Sequence, residues 1–148
     1  MAVHKLDLSL YLGYPAPLTT RRTQSSKMPQ VLELTSLDDY ATELLKPGLV
    51  VIDFYSTQCP PCKVVAPIYE QIAARENNAA VRFFKVNGLV EPGTTIQQAA
   101  EVVWWPTFVV YEDGKEVWRR KVPNPPSLEP VRELERFLDG RGTTSQVV

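Results

Sequence analysis

The chain has 148 residues, 44% of them hydrophobic and 22% charged, a length and balance that suit one globular domain with a real core. Its formal net charge of −1 offers no electrostatic case for nucleic acid or an acidic membrane surface, and no apolar run is long enough to cross a bilayer. Two cysteines are too few for a secreted disulfide framework.

Residues 1–29 read as a leader separate from the domain. Leu6, Leu8, Leu10 and Leu12 alternate with the period of a strand, and Gly13, Pro15 and Pro17 then break the chain. Lys5, Arg21, Arg22 and Lys27 outnumber the single acid Asp7, a balance that suits an organelle transit peptide. A disordered tail is the favoured alternative, because the leader lacks an amphipathic helical stripe. Asp7 and Ser9 interrupt the apolar stretch and argue against a secretory signal. The domain is expected over residues 30–139, with a polar tail over 140–148.

Val31 to Leu34 reads as a short strand. Ser36 is a good N-cap, with Asp39 in the first turn of a helix from about Leu37 to Leu45, which Lys46-Pro47-Gly48 ends. Leu49 to Tyr55 is apolar on both faces, as a buried strand is, apart from Asp53. A carboxylate there loses hydration, so its pKa should rise unless it is paired. Asp53 is either an acid that finds a cap or a lysine, or a proton carrier for thiol chemistry six residues further on.

A helix from Cys59 to about Glu76 places Val64, Val65, Ile68, Tyr69, Ile72 and Ala73 on its apolar face. Pro67 is expected to kink it and Asn77-Asn78 to stop it. Val81 to Val86 is a strand, Gly88 to Thr94 a loop, and Thr95 to about Val102 a short helix. Trp104-Trp105-Pro106-Thr107 leads into a strand from Phe108 to Tyr111. Asp113-Gly114 turns a hairpin, and Lys115 to Lys121 returns as an edge strand. Ser127 caps a last helix to about Leu138, which Gly140 ends. Strands joined by helices require parallel, right-handed crossovers, whereas the hairpin is antiparallel. The fold class is therefore α/β, a mixed central sheet with helices on both faces.

Both cysteines lie in Cys59-Pro60-Pro61-Cys62, after a buried strand and at the start of a helix. Unpaired N–H groups and the positive end of the helix dipole favour a thiolate at the first cysteine, and thiolate is the nucleophile. The second, one turn in, can attack a mixed disulfide formed by the first. Cys59 is thus read as the attacking thiol and Cys62 as the resolving one. Zinc would need four ligands, yet there is no second pair, and the one histidine, His4, lies in the leader; no metal is expected. A purely structural disulfide would close too small a loop to constrain the unfolded chain much. An inert pair on a binding module, with Trp104, Trp105 and Trp118 as contact aromatics, is the competing class.

Val51-Ile52-Asp53-Phe54, Cys59 to Lys63, Ala66-Pro67, Phe84-Lys85-Val86, Trp105-Pro106-Thr107 and Asp113-Gly114-Lys115 occur in the order and approximate spacing of thioredoxins. From about Val31 to Leu138 the chain resembles that family. The resemblance implies a thioredoxin fold and a protein-disulfide reductase, with no bound cofactor beyond a redox-active Cys59–Cys62 disulfide. It makes Cys59 the exposed nucleophile, Cys62 the buried resolving cysteine, Asp53 the buried acid that moves the proton, and Lys85 its partner. Pro106 matches a cis-proline facing the disulfide, and Gln58, Pro60, Pro61 and Trp105 fall at substrate-contacting positions. The implied partners are disulfide-containing proteins and a thioredoxin reductase. A cytoplasmic monomer is expected, or a mitochondrial one if residues 1–29 are a transit peptide. The chain departs from the family at Pro60 (usually glycine), Gln58 (usually tryptophan), Tyr55, Trp105 (usually a small aliphatic residue), and near Pro123, where a glycine is usual. The loop between Lys85 and Pro106 is also slightly longer.

Overall fold

The computed structural model describes residues 30–76 and 79–144. The readings of residues 1–29, of Asn77-Asn78 as a helix stop, and of residues 145–148 lie outside the described residues. Five strands, β1 (Leu32–Glu33), β2 (Leu49–Tyr55), β3 (Val81–Asn87), β4 (Thr107–Glu112) and β5 (Lys115–Lys121), form one sheet in the order β1-β3-β2-β4-β5. β1 and β2 run parallel to β3, while β4 runs antiparallel to both β2 and β5. The helices are α1 (Leu37–Leu45), α2 (Pro60–Arg75), α3 (Gly93–Ala99) and α4 (Glu129–Thr144). No helix among the described residues is long and apolar enough to cross a membrane.

Alternation along β2 divides the core. Leu49 and Val51 pack with Val65, Tyr69, Ile72, Val131 and Leu134 under α2 and α4. Val50, Ile52 and Phe54 pack on the opposite face with Tyr40, Ile96 and Ala100 of the α1 and α3 side. Asp53 follows Leu49 and Val51 on the α2 face, where the apolar core ends and the helix begins. The parallel register sets it opposite Lys85 of β3.

Ser36 Oγ accepts from the Asp39 N–H and caps α1, as expected. Asp113 and Gly114 both have positive φ, 50° and 83°, which is the tight-turn geometry that matches strand twist. β5 forms the edge of the sheet. Ser127 Oγ accepts from the Glu129 N–H at the start of α4.

Two helices differ in their bounds from the sequence reading. α3 begins at Gly93 rather than Thr95 and ends at Ala99. The helix start crowds the end of β3: a Cβ on Gly93 would lie 1.8 Å from the Asn87 carbonyl oxygen, so only glycine fits. α4 does not stop at Gly140 but runs to Thr144. Glycine ends a helix by turning left-handed, and Gly140 does not. The extra turn is tied down instead by Arg141, which pairs with Glu112 at 2.6 Å and lies over the Phe137 ring.

Tyr69 joins α2 to the sheet. Its ring packs against Phe83 and Phe108, and its hydroxyl donates to the Val51 and Phe84 carbonyls at 3.1 and 2.7 Å. Tyr69→Phe removes this donor from a buried site and should lower stability by about 1–3 kcal/mol. Urea unfolding checks this: the midpoint should fall with the slope unchanged.

Candidate active site

Cys59 is the N-cap of α2. Its backbone is extended and its Sγ accepts from the Cys62 N–H at 3.3 Å. Pro60 and Pro61 occupy the first helical positions, where a missing N–H is tolerated and the fixed φ suits the helix. As neither has an N–H to offer, the first turn aims only the Cys62 N–H at Cys59. No acidic side chain sits in that turn to offset the helix dipole. The approach is shaped by Ser56, which is buried: its Oγ accepts from Gln58 N–H and its carbonyl from Cys59 N–H. The sequence signal for this turn, a serine two residues before the bonded N–H, is weak and carries no site motif of its own.

Cys59 and Cys62 are joined as a disulfide with Cα atoms 5.3 Å apart. The expected contrast in exposure is small: Cys59 is 8% exposed and Cys62 3%. Cys59 is a recessed sulfur rather than an open one, because the helix start and the neighbouring side chains enclose it. It lies on a groove of about 520 Å³ with Gln58, Pro60, Pro61, Trp104 and Trp105. Trp105 is half-buried and Gln58 exposed. The Trp105–Pro106 bond is cis. Pro106 itself is buried and is not among the side chains lining the groove. Trp118 is not at the site; it stacks on Phe137 of α4 at 5.9 Å between ring centres.

On the other side of the pair, Asp53, Cys62, Tyr55, Lys63, Tyr69 and Lys85 are among the residues lining a cleft of about 260 Å³. Asp53 is 3% exposed, and its Oδ1 has no hydrogen-bond partner among the described residues. Burial pushes its carboxyl up to about 7; Lys85 opposes this and Glu33 adds to it. Glu33, which the sequence reading passed over, accepts from the Tyr55 hydroxyl and the Asn87 N–H. The Lys85 ammonium lies 5.8 Å from the centre of the Tyr55 ring. The two sulfurs of the disulfide, an acid poised near neutrality and a cation thus converge from β2, β3 and α2. Such a constellation can take and release electron pairs by disulfide exchange, with a proton acceptor at hand.

The thioredoxin family model matches residues 30–129. The chain belongs to the thioredoxin family. It is 38% identical to Thioredoxin-2 of Saccharomyces cerevisiae over 67% of this chain and 92% of that protein. It is also 38% identical to a thioredoxin-like protein of Acanthamoeba polyphaga mimivirus over 72% of this chain and 78% of that one. The crystal structure of a Malassezia sympodialis thioredoxin superposes with a TM-score of 0.56 at 29% identity, covering 62% of this chain and 80% of that one. This thioredoxin is a thiol–disulfide oxidoreductase, and the Cys59–Cys62 pair fits the family's Cys-x-x-Cys site.

Proposed function

We propose that this thioredoxin reduces protein disulfides with Cys59 as the attacking thiol and Cys62 as the resolving one. The observation that carries the assignment is position at the helix start: Cys59 caps α2 and lies on the groove, while Cys62 lines the cleft it shares with Asp53 on the other side of the pair. The Cys59 thiolate attacks a substrate sulfur, forming a mixed disulfide and releasing one substrate thiol. Cys62 then attacks Cys59 Sγ, releasing the second thiol and restoring the protein disulfide.

Asp53 is the group that takes the Cys62 proton. The shared cleft supports this reading, and so does a carboxyl that titrates near 7. Lys85 acts as its partner: its positive charge keeps the carboxyl from rising further. Gln58, Pro60, Pro61 and Trp105 meet the substrate from the groove. Pro106 acts from behind it by setting the course of the chain at Trp105. No bound cofactor takes part; the disulfide is the redox group, and a thioredoxin reductase recharges it. The protein acts as a monomer in the cytoplasm, or in mitochondria if residues 1–29 serve as a transit peptide; a yeast relative is a mitochondrial thioredoxin.

Reduction of insulin driven by dithiothreitol tests the assignment. Wild type should precipitate insulin well ahead of the uncatalysed reaction, and Cys59→Ser should match the uncatalysed rate, because serine cannot form the mixed disulfide. A Cys59→Ser variant with wild-type turnover would remove Cys59 from its role.

A further inference from the structure

One wall of the Cys59 groove is built by hydrogen bonds that the dithiol chemistry does not need. The Trp105 indole N–H donates to Gln97 Oε1 of α3 at 2.5 Å. The neighbouring Trp104 indole N–H donates to the Val122 carbonyl at 2.7 Å. Each indole has one polar atom, so both rings face the groove as apolar surface. Among the described residues, no side chain lining the groove is charged. Gly88 makes room for the arrangement: a Cβ there would lie 1.9 Å from Gln97 Oε1 and 2.6 Å from Trp105 Nε1.

We propose that Gln97 is a positioning residue for substrate choice. By fixing the Trp105 indole it builds a rigid, uncharged wall beside Cys59, which favours disulfides flanked by apolar residues over disulfides flanked by charges. A charged flank loses hydration against this wall and meets no counter-charge. A wall already in place costs no ordering when the substrate arrives. The inference rests on Cys59 as the attacking thiol.

The test uses reduced full-length protein and an excess of either of two synthetic peptides, each closed by one intramolecular disulfide. One carries Leu and Phe beside its cysteines, the other Asp and Lys. In a single turnover the two protein thiols close to a disulfide, and the peptide disulfide gains two electrons and two protons. Wild type should half-saturate at about tenfold lower concentration of the apolar peptide. Gln97→Met keeps length but removes the acceptor, and Gly88→Ala displaces the amide from the other side. Each should bring the two half-saturation concentrations to within about twofold, with maximal rates changed less than about twofold. Each should also move the Trp105 indole N–H resonance in a nitrogen-15 NMR spectrum.

Equal half-saturation by wild type overturns the inference while leaving the Cys59 assignment standing. So does a tenfold preference that survives in both variants, whether or not the resonance has moved. A fall in maximal rate as large as the change in half-saturation marks a general structural role and overturns it too. If wild type reduces neither peptide, the inference is overturned, and the insulin comparison of wild type with Cys59→Ser decides separately whether the Cys59 assignment stands.

Discussion

Cys62→Ser should turn this thioredoxin into a trap, with mixed disulfides between Cys59 and substrate proteins accumulating instead of turning over. In the wild type the resolving sulfur is held one helical turn from Cys59, with Cα atoms 5.3 Å apart. A reaction between groups held in this way behaves as if its partner were present at about 10⁵ M or more. An external thiol at millimolar concentration cannot match that, so the mixed disulfide should last many orders of magnitude longer in the variant. Non-reducing electrophoresis and mass spectrometry of the adducts check the result. Trapping by Cys59→Ser and not by Cys62→Ser would reverse the two roles.

The second large effect is at Asp53, where a single side chain links stability to catalysis. Its carboxyl titrates near 7 in the folded protein instead of 3.8. The native state therefore holds a proton that the unfolded state has lost between these two values. Stability from this group is intact below about pH 4, falls as pH rises towards 7, and is fully lost above it. A difference of this size corresponds to about 4 kcal/mol against the charged form. Asp53→Asn removes that penalty but buries an amide that costs about 1–3 kcal/mol when poorly bonded. The oxidised variant should thus be more stable than wild type at pH 8, by about 1–3 kcal/mol, and no more stable at pH 4. Urea denaturation at the two pH values measures both.

The same substitution should slow disulfide reduction at pH 8 by at least about tenfold, since no proton acceptor remains at Cys62. The wild-type rate should rise through pH 7 as Asp53 ionises, and that step should vanish in the variant. A stability gain that is equal at pH 4 and pH 8 would show that the effect is one of packing and not of charge. A pH–rate profile with its step intact would remove Asp53 from the proton path.

Stability and catalysis pull in opposite directions here. An isolated carboxylate under α2 weakens the fold at the pH where its ionised form is useful. Its Oδ1 finds no hydrogen-bond partner among the described residues, and the Lys85 charge offsets burial only in part. Buried titratable groups of this kind cluster at functional sites because a better-satisfied group would not titrate near neutrality.

What the sequence determined by itself was local or periodic. The apolar runs of β2, β3 and β4, the Ser36 cap and the Asp113-Gly114 turn are carried by residues within a few positions of one another. Adjacent prolines between two cysteines likewise define a helix start without help from the rest of the chain. Tertiary packing decided whatever depended on distant partners. Gly140 looked like a helix end, but Arg141 reaches Glu112 on the sheet and the helix continues. α3 begins early because Gly93 can press against Asn87. Glu33 and Gln97 carry no motif, since each matters through what it touches: Tyr55 and Trp105. Local sequence sets backbone preferences over one or two turns. Which side chain meets which across the sheet is settled only when the two halves of the core close on β2.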